Sequence, residues 1–192
     1  MRRAARWVGF VLGGTTALIL VAAGAVYFTS ERLLAQRYQA RPERLVQPSA
    51  AALADAPRQA RLLGCLSCHG EGLSGNEVFG EPLIGELNAP NLPLLIKQRT
   101  DQQIAAAIRQ GVSADGRPLL VMPSGLFSRL GDEDASALIA WMRALPASAP
   151  ENKPIGLTLI GRWMLLNGDL PTQPDLVPVL FPVSTYGTDL RL

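Results

Sequence analysis

The sequence predicts an all-α domain of short helices and ordered loops, preceded by one long apolar helix that crosses a membrane. Three observations predict this class. The run from Trp7 to Phe28, WVGFVLGGTTALILVAAGAVYF, carries no charged residue. Two later stretches, 100–111 and 131–145, carry helix start and stop signals around apolar residues one turn apart. Nowhere does a sustained apolar–polar alternation mark a half-buried strand, and no segment repeats another.

The totals fit this class. A chain of 192 residues holds one ordinary domain with appendages. At 48% hydrophobic and a formal net charge of +2, it has the make-up of a globular domain with a membrane-type segment. The charge is uneven. Seven Arg face only Glu31 and Glu43 before residue 50, whereas eight basic residues face ten acidic ones from Asp55 to Pro146. The basic balance therefore belongs to the N-terminal arm. A nucleic-acid partner needs a clustered Lys/Arg face; none is visible, and no such partner is expected.

Roughly 20 apolar residues span a bilayer, so the first element, 7–28, reads as a transmembrane signal-anchor helix. Arg2, Arg3 and Arg6 place residues 1–6 on the cytoplasmic side, and Trp7 and Tyr27-Phe28 stand where interfacial aromatics belong. The alternative is a cleaved signal peptide, since Ala23-Gly24-Ala25 fits a cleavage pattern; the run is longer than the roughly 7–15 residues such a peptide uses. Either way, the chain beyond residue 28 lies outside the cytoplasm. A mitochondrial presequence fits less well, because the run is too continuously apolar to be amphipathic.

Residues 29–54 read as a short helical stem and a linker rich in Ala, Pro and Ser. The main domain is expected over 55–147, with a first helix from about Pro57 to Cys68. Residues 70–99, rich in Gly, Asn and Pro, read as ordered loop with short turns at most. Thr100-Asp101-Gln102-Gln103 is a capping-box pattern, Ile104 and Ile108 lie one turn apart, and Gly111 is a natural stop. A further helix starts at Gly131, with Asp132, Glu133 and Asp134 complementing the macrodipole. Leu138, Trp141, Met142 and Leu145 form its apolar stripe, and Pro146 closes it. Residues 148–192 are a Pro-rich extension. Its apolar patch, LTLIGRWMLL, is expected to pack onto the domain's own surface, with a membrane surface or a docked partner as alternatives.

The chemistry is concentrated in one place. The chain has two cysteines and one histidine, and all lie in Cys65-Leu66-Ser67-Cys68-His69. Structural zinc wants four ligands, and no other Cys or His exists. A thiol–disulfide motif is chemically adequate, but it belongs near a βαβ pattern, and none is visible. A structural disulfide or two idle thiols is the plainest alternative. Covalent attachment of a c-type haem has Cys-x-x-Cys-His as its signature. Two thiols three positions apart on a helical turn reach the two vinyl groups on one porphyrin edge. The next residue, His69, then falls under the iron as the proximal ligand. Attachment takes place outside the cytoplasm, in agreement with the N-terminal segment.

The inventory narrows the sixth iron ligand. With no second histidine, Met is the usual alternative. Met1 is cytoplasmic or removed, Met142 belongs to the helix stripe, and Met164 lies in the extension. Met122 sits in Leu-Leu-Val-Met-Pro-Ser-Gly, an apolar loop that Pro123 stiffens. Met122 is the candidate, with plain gap-filling as the other role for it.

Three stretches in order resemble the class I c-type cytochromes, in their bacterial membrane-anchored branch. They are Gly64 to Gly70 (GCLSCHG), Ala89-Pro-Asn-Leu92, and Gly111-Val through Met122-Pro123 into Phe127 and DEDASALIAWMRALP. The resemblance covers about residues 55–147. It implies a small helical shell around one haem c, with the N-terminal and C-terminal helices of the domain crossing. It implies that the Pro90 carbonyl accepts the proton of the His69 nitrogen facing away from iron. Phe127 falls in the haem pocket, and Arg117 and Arg109 are candidates to neutralise the propionates, an exposed salt-bridging role being the alternative. The sequence departs from the family where an aromatic usually stands four residues before the first Cys. Arg61 is there, with Pro57 where a small helix-contact residue is usual.

The function this implies is not catalysis. A membrane-anchored monohaem cytochrome in the bacterial inner membrane would pass single electrons between redox partners on the periplasmic side. A haem subunit of a dehydrogenase or oxidase complex, or a haem-based ligand sensor in which a gas displaces Met122, are the alternatives.

Overall fold

The computed structural model describes residues 2–146 and 155–180. Met1, and the parts of the expected extension at 147–154 and 181–192, lie outside the described residues. The first element is one continuous helix, α1 (Arg2–Ala35). It is long and apolar enough to cross a membrane, and its apolar part is not buried against the rest of the chain. The expected stem is its last turns.

The expected linker is not free. After Ala35 the chain runs extended as a strap across α5 (Asp101–Gln110) and towards α7 (Asp132–Ala144). The buried amide of Gln110 binds it as a strand neighbour would. Its Oε1 accepts from the Arg41 N–H at 2.8 Å, and its Nε2 donates to the Arg41 carbonyl at 2.8 Å. Tyr38 N–H donates to Gly116 at 2.9 Å, Val46 N–H to Ser136 Oγ at 3.1 Å and Ser49 N–H to Glu133 at 3.1 Å. Arg109 joins strap and helices, 3.2 Å from Glu43 and 3.0 Å from Asp132. A Pro- and Ala-rich composition suggests a linker; the partners that fix this one are side chains far along the sequence, which composition does not reveal.

Helix α2 (Ala50–Leu62) starts earlier than expected because Ser49 caps it, accepting from Ala52 N–H at 3.2 Å. It packs across α7. The contact uses Ala56 and Ala60, both with no exposed surface, among Ala137, Leu138 and Met142. Small side chains thus do stand at the helix contact, one turn apart. Gln59 Nε2 donates to Asp134 at 2.9 Å beside it. In α5 both halves of the capping box form, Gln103 N–H to Thr100 Oγ1 at 3.2 Å and Thr100 N–H to Gln103 Oε1 at 2.9 Å. Gly111 ends it in the left-handed region. In α7, Leu138 and Met142 are buried, with Trp141 and Leu145 at the edge of the same core.

The all-α expectation needs correction. Residues 76–89 form an antiparallel hairpin, β1 (Asn76–Glu81) and β2 (Gly85–Ala89), and β3 (Gly156–Leu157) adds to the free edge of β2. The molecule is mostly helical with this small sheet. The hairpin escapes a pattern reading because its register shifts between Glu77 and Phe79. A bulge breaks the period of two on which the reading depends.

The extension folds back over the domain. Helix α8 (Leu159–Asn167) packs along α1, and α9 (Gln173–Leu180) packs against α6 (Ser124–Phe127). The expected packing of the apolar patch is met only in part: Gly161 and Leu165 of α8 are buried, whereas Leu159, Ile160 and Trp163 stay exposed.

Gln110→Ala removes both bonds to Arg41 and leaves its N–H and C=O without those partners. Arg41 is exposed, so its freed groups turn to water, and the net worth of such a hydrogen bond is about 0.5–1.5 kcal/mol. We expect a loss of that size in chemical unfolding, together with faster amide exchange at Arg41 and Tyr38. Unchanged exchange would mean that the strap is held by other contacts.

Candidate haem-attachment site

The Cys-x-x-Cys-His stretch does not continue α2. Gly64, at φ +77, turns the chain through the left-handed region that favours glycine. A new short helix, α3 (Cys65–His69), then begins. Its turn closes with Ser67 N–H to Gly64 at 3.1 Å and Gly70 N–H to Leu66 at 2.9 Å. Cys65 and Cys68, three positions apart, are neighbours on one helix face. Both are half-buried thiols with no disulfide between them. Burial pushes the Cys65 thiol up to about 11, so it is protonated at neutral pH. A thiol–disulfide enzyme needs the reverse, a cysteine whose pKa is lowered.

His69 is 8% exposed. Its Nδ1 lies 2.8 Å from the Pro90 carbonyl. A carbonyl only accepts, so the proton is on Nδ1, and Nε2 carries the free lone pair. Burial lowers the imidazole pKa below its usual range, against the opposing pull of the Pro90 carbonyl. The ring is neutral at neutral pH, the form that binds metals.

The loop and hairpin after His69 bring Pro90 back to it. Gly75 N–H donates to the His69 carbonyl at 2.8 Å. From there β1 leaves and β2 returns, with Ala89 opposite Asn76. The returning chain presses on Gly75 at φ +94, where a Cβ would stand 3.0 Å from the Asn91 nitrogen and 3.2 Å from the Ala89 oxygen. Leu73 has φ +56, the only positive value on a non-glycine among the described residues, and it is fully buried. Such strain persists where packing over-determines the residue. Asn91, 1% exposed, fixes the other side by accepting from Leu94 N–H at 3.1 Å at the start of α4 (Leu92–Leu95). Sequence reasoning does not single out Gly75 or Leu73. The glycines of Gly70-Glu-Gly-Leu-Ser-Gly75 signal a tight loop, but not what that loop approaches.

Met122 is half-buried and packs against the same core that receives Cys65 and Leu66. Its loop is tied from two sides. Fully buried Ser124 donates to the Ala107 carbonyl of α5 at 3.0 Å. Gln173, in the first turn of α9, donates from its backbone to Leu119 at 2.9 Å and from its amide to Leu120 at 2.6 Å. The extension thus braces the loop that leads to Met122, a role without a local sequence signal. Met142 lies in the core at 6% exposure.

The remaining candidates divide. Phe127 is buried in the main core. Arg117 is exposed and bound 2.6 Å from Asp115. The Asp115 carboxyl is held down at about 2, first by the Ser113 hydroxyl, with Arg117 adding to it. Arg109 holds the strap. Both arginines thus have carboxylate partners of their own. A shallow apolar groove of about 450 Å³ lies between strap and α5, and none of the cysteine, histidine or methionine candidates lines it. Among the described residues, no three His, Cys, Asp or Glu side chains converge to hold a bare metal ion.

No protein-family model matches the chain, and no curated protein matches it.

Gly75→Ala forces a side chain into the contact with the 89–91 backbone and into a disfavoured φ. We expect a stability loss of about 1–3 kcal/mol and a lengthened His69–Pro90 bond, read as an upfield shift of the Nδ1 proton resonance. An unshifted resonance would show that the loop can yield without moving the carbonyl.

Proposed function

We propose that the chain is a membrane-anchored monohaem c-type cytochrome, with a small class I cytochrome c fold, that carries single electrons. One observation carries the reading: Cys65, Cys68 and His69 share one helical turn, and the His69 Nδ1 proton is held by the Pro90 carbonyl. That arrangement fits a covalently attached haem. Bound there, the haem would supply a one-electron Fe(III)/Fe(II) couple.

The chain's own residues define the rest. Cys65 and Cys68 would hold the porphyrin edge as thioethers. His69 would offer Nε2 to the iron. The Pro90 carbonyl fixes the ring orientation and raises its basicity, as the outer partner of a ligating His does. Met122, at the edge of the same core, would be the second side chain to hold the iron. With His69 and Met122 both holding the iron, no site would be left for a substrate, and a change in iron charge would need little reorganisation.

Helix α1 would anchor the domain in the bacterial inner membrane, with the haem domain in the periplasm. Tethering raises the effective concentration near membrane redox partners. A haem subunit of a larger oxidoreductase would use the same residues in the same roles.

Optical spectra of the haem-loaded protein test the ligand assignment. Met122→Ala should abolish the low-spin His/Met spectrum, including the weak long-wavelength sulfur-to-iron band, while the haem stays attached. Met142→Ala should keep that spectrum and cost about 2–5 kcal/mol of stability, as truncating a buried Met does. Equal spectral loss in both variants would overturn the role of Met122.

A further inference from the structure

We propose that the N-terminal end of α8 is a second membrane contact, dipping into the interfacial layer of the same bilayer that α1 crosses. It rests on reading α1 as a membrane span.

The apolar run of α1 ends at Phe28, and α8 packs beside that end. Arg162 lies 2.7 Å from Glu31, donates to Ser30 Oγ at 2.9 Å and stacks 4.3 Å over the Tyr27 ring. One turn later, Leu165 joins the cluster that also takes Leu33 and Leu34. Helix α8 therefore climbs beside α1 away from the apolar run, and its first turn points back towards it. Beyond the apolar run, Ser30 of α1 is buried and Glu31, Leu33 and Leu34 are half-buried, which puts the side of α1 that α8 meets at the end of the span.

The opposite face of α8 is apolar and uncovered. Leu159, Ile160 and Trp163 are 46%, 48% and 55% exposed, at a spacing that puts them on one helix face. Ile155 and Leu83 are exposed beside them, since Thr158 N–H donates to the Ile84 carbonyl at 3.0 Å and holds the hairpin turn against the start of α8. A contiguous apolar patch of this kind marks an interaction site. The one cation of α8, Arg162, is turned inward and paired, so no charge on this helix opposes entry. A Trp beside aliphatic side chains at the height where a span leaves the bilayer is what the interfacial layer favours. The occupant that continuity with α1 selects is therefore lipid. A two-point attachment would fix the tilt and height of the domain over the membrane, which a single helix leaves free to swivel.

Spin labels on the full-length haem-loaded chain in phosphatidylcholine vesicles test this. The labels go at Ile160→Cys, at Phe10→Cys inside α1, and at Leu53→Cys on the exposed face of α2. The wild-type chain, labelled in the same way, provides the background. The readout is relaxation by oxygen, which partitions into lipid, against relaxation by a water-soluble nickel chelate. Sites 10 and 160 should both favour oxygen, with 160 the shallower, and site 53 should favour the chelate. If 10 favours oxygen and 160 behaves like 53, the second contact is wrong and the span stands. If 160 is shielded from both reagents, protein covers the patch and the lipid assignment is wrong. If 10 also favours the chelate, the span and the second contact fall together.

Discussion

The hydrogen bond between His69 and the Pro90 carbonyl is the constraint on which the site depends. It fixes which ring nitrogen holds the proton, and so which one is free to bind a metal. It also sets what the intervening chain must do. Within about 20 residues that chain must leave His69, turn, and come back with a bare carbonyl aimed at the ring. The left-handed glycines and Leu73 within 70–75, the bulged hairpin and the buried Asn91 together meet that demand.

The rest of the molecule bears on the same point from outside. α2 packs closely on α7 because Ala56 and Ala60 leave room, and Gly64 then turns the chain into α3. The strap closes over α5 through Gln110 and Arg109, and the extension ties the Met122 loop through Gln173. Segments whose composition suggests linkers are thus structural. In the strap, backbone groups of Arg41, Val46 and Ser49 are satisfied by Gln110, Ser136 and Glu133, side chains on helices that are distant in sequence.

What is legible in the sequence is local. The apolar span, the capping box at Thr100, the stop at Gly111, the stripe of α7 and the Cys65–His69 turn are each specified within a few residues. The strap and the bracing of Met122 are specified by pairs some 50 to 70 positions apart, such as Gln173–Leu120 and Arg41–Gln110. The hairpin lies between these cases: its residues are contiguous, but its bulge removes the alternation that would announce it. Pro90 is instructive too. Nothing in its own neighbourhood marks its carbonyl as a partner of His69; a family resemblance points to it, and the 2.8 Å bond is the observation that carries it.

The most direct test of covalent haem attachment is the intact mass of the chain after production with a c-type maturation system, measured under denaturing conditions. The expected result is the mass of the chain plus one haem, retained on denaturation. Replacing both Cys65 and Cys68 by Ser should abolish it. A denatured chain of unmodified mass, with Cys65 and Cys68 as free thiols or as a disulfide, would contradict the haem reading at its centre.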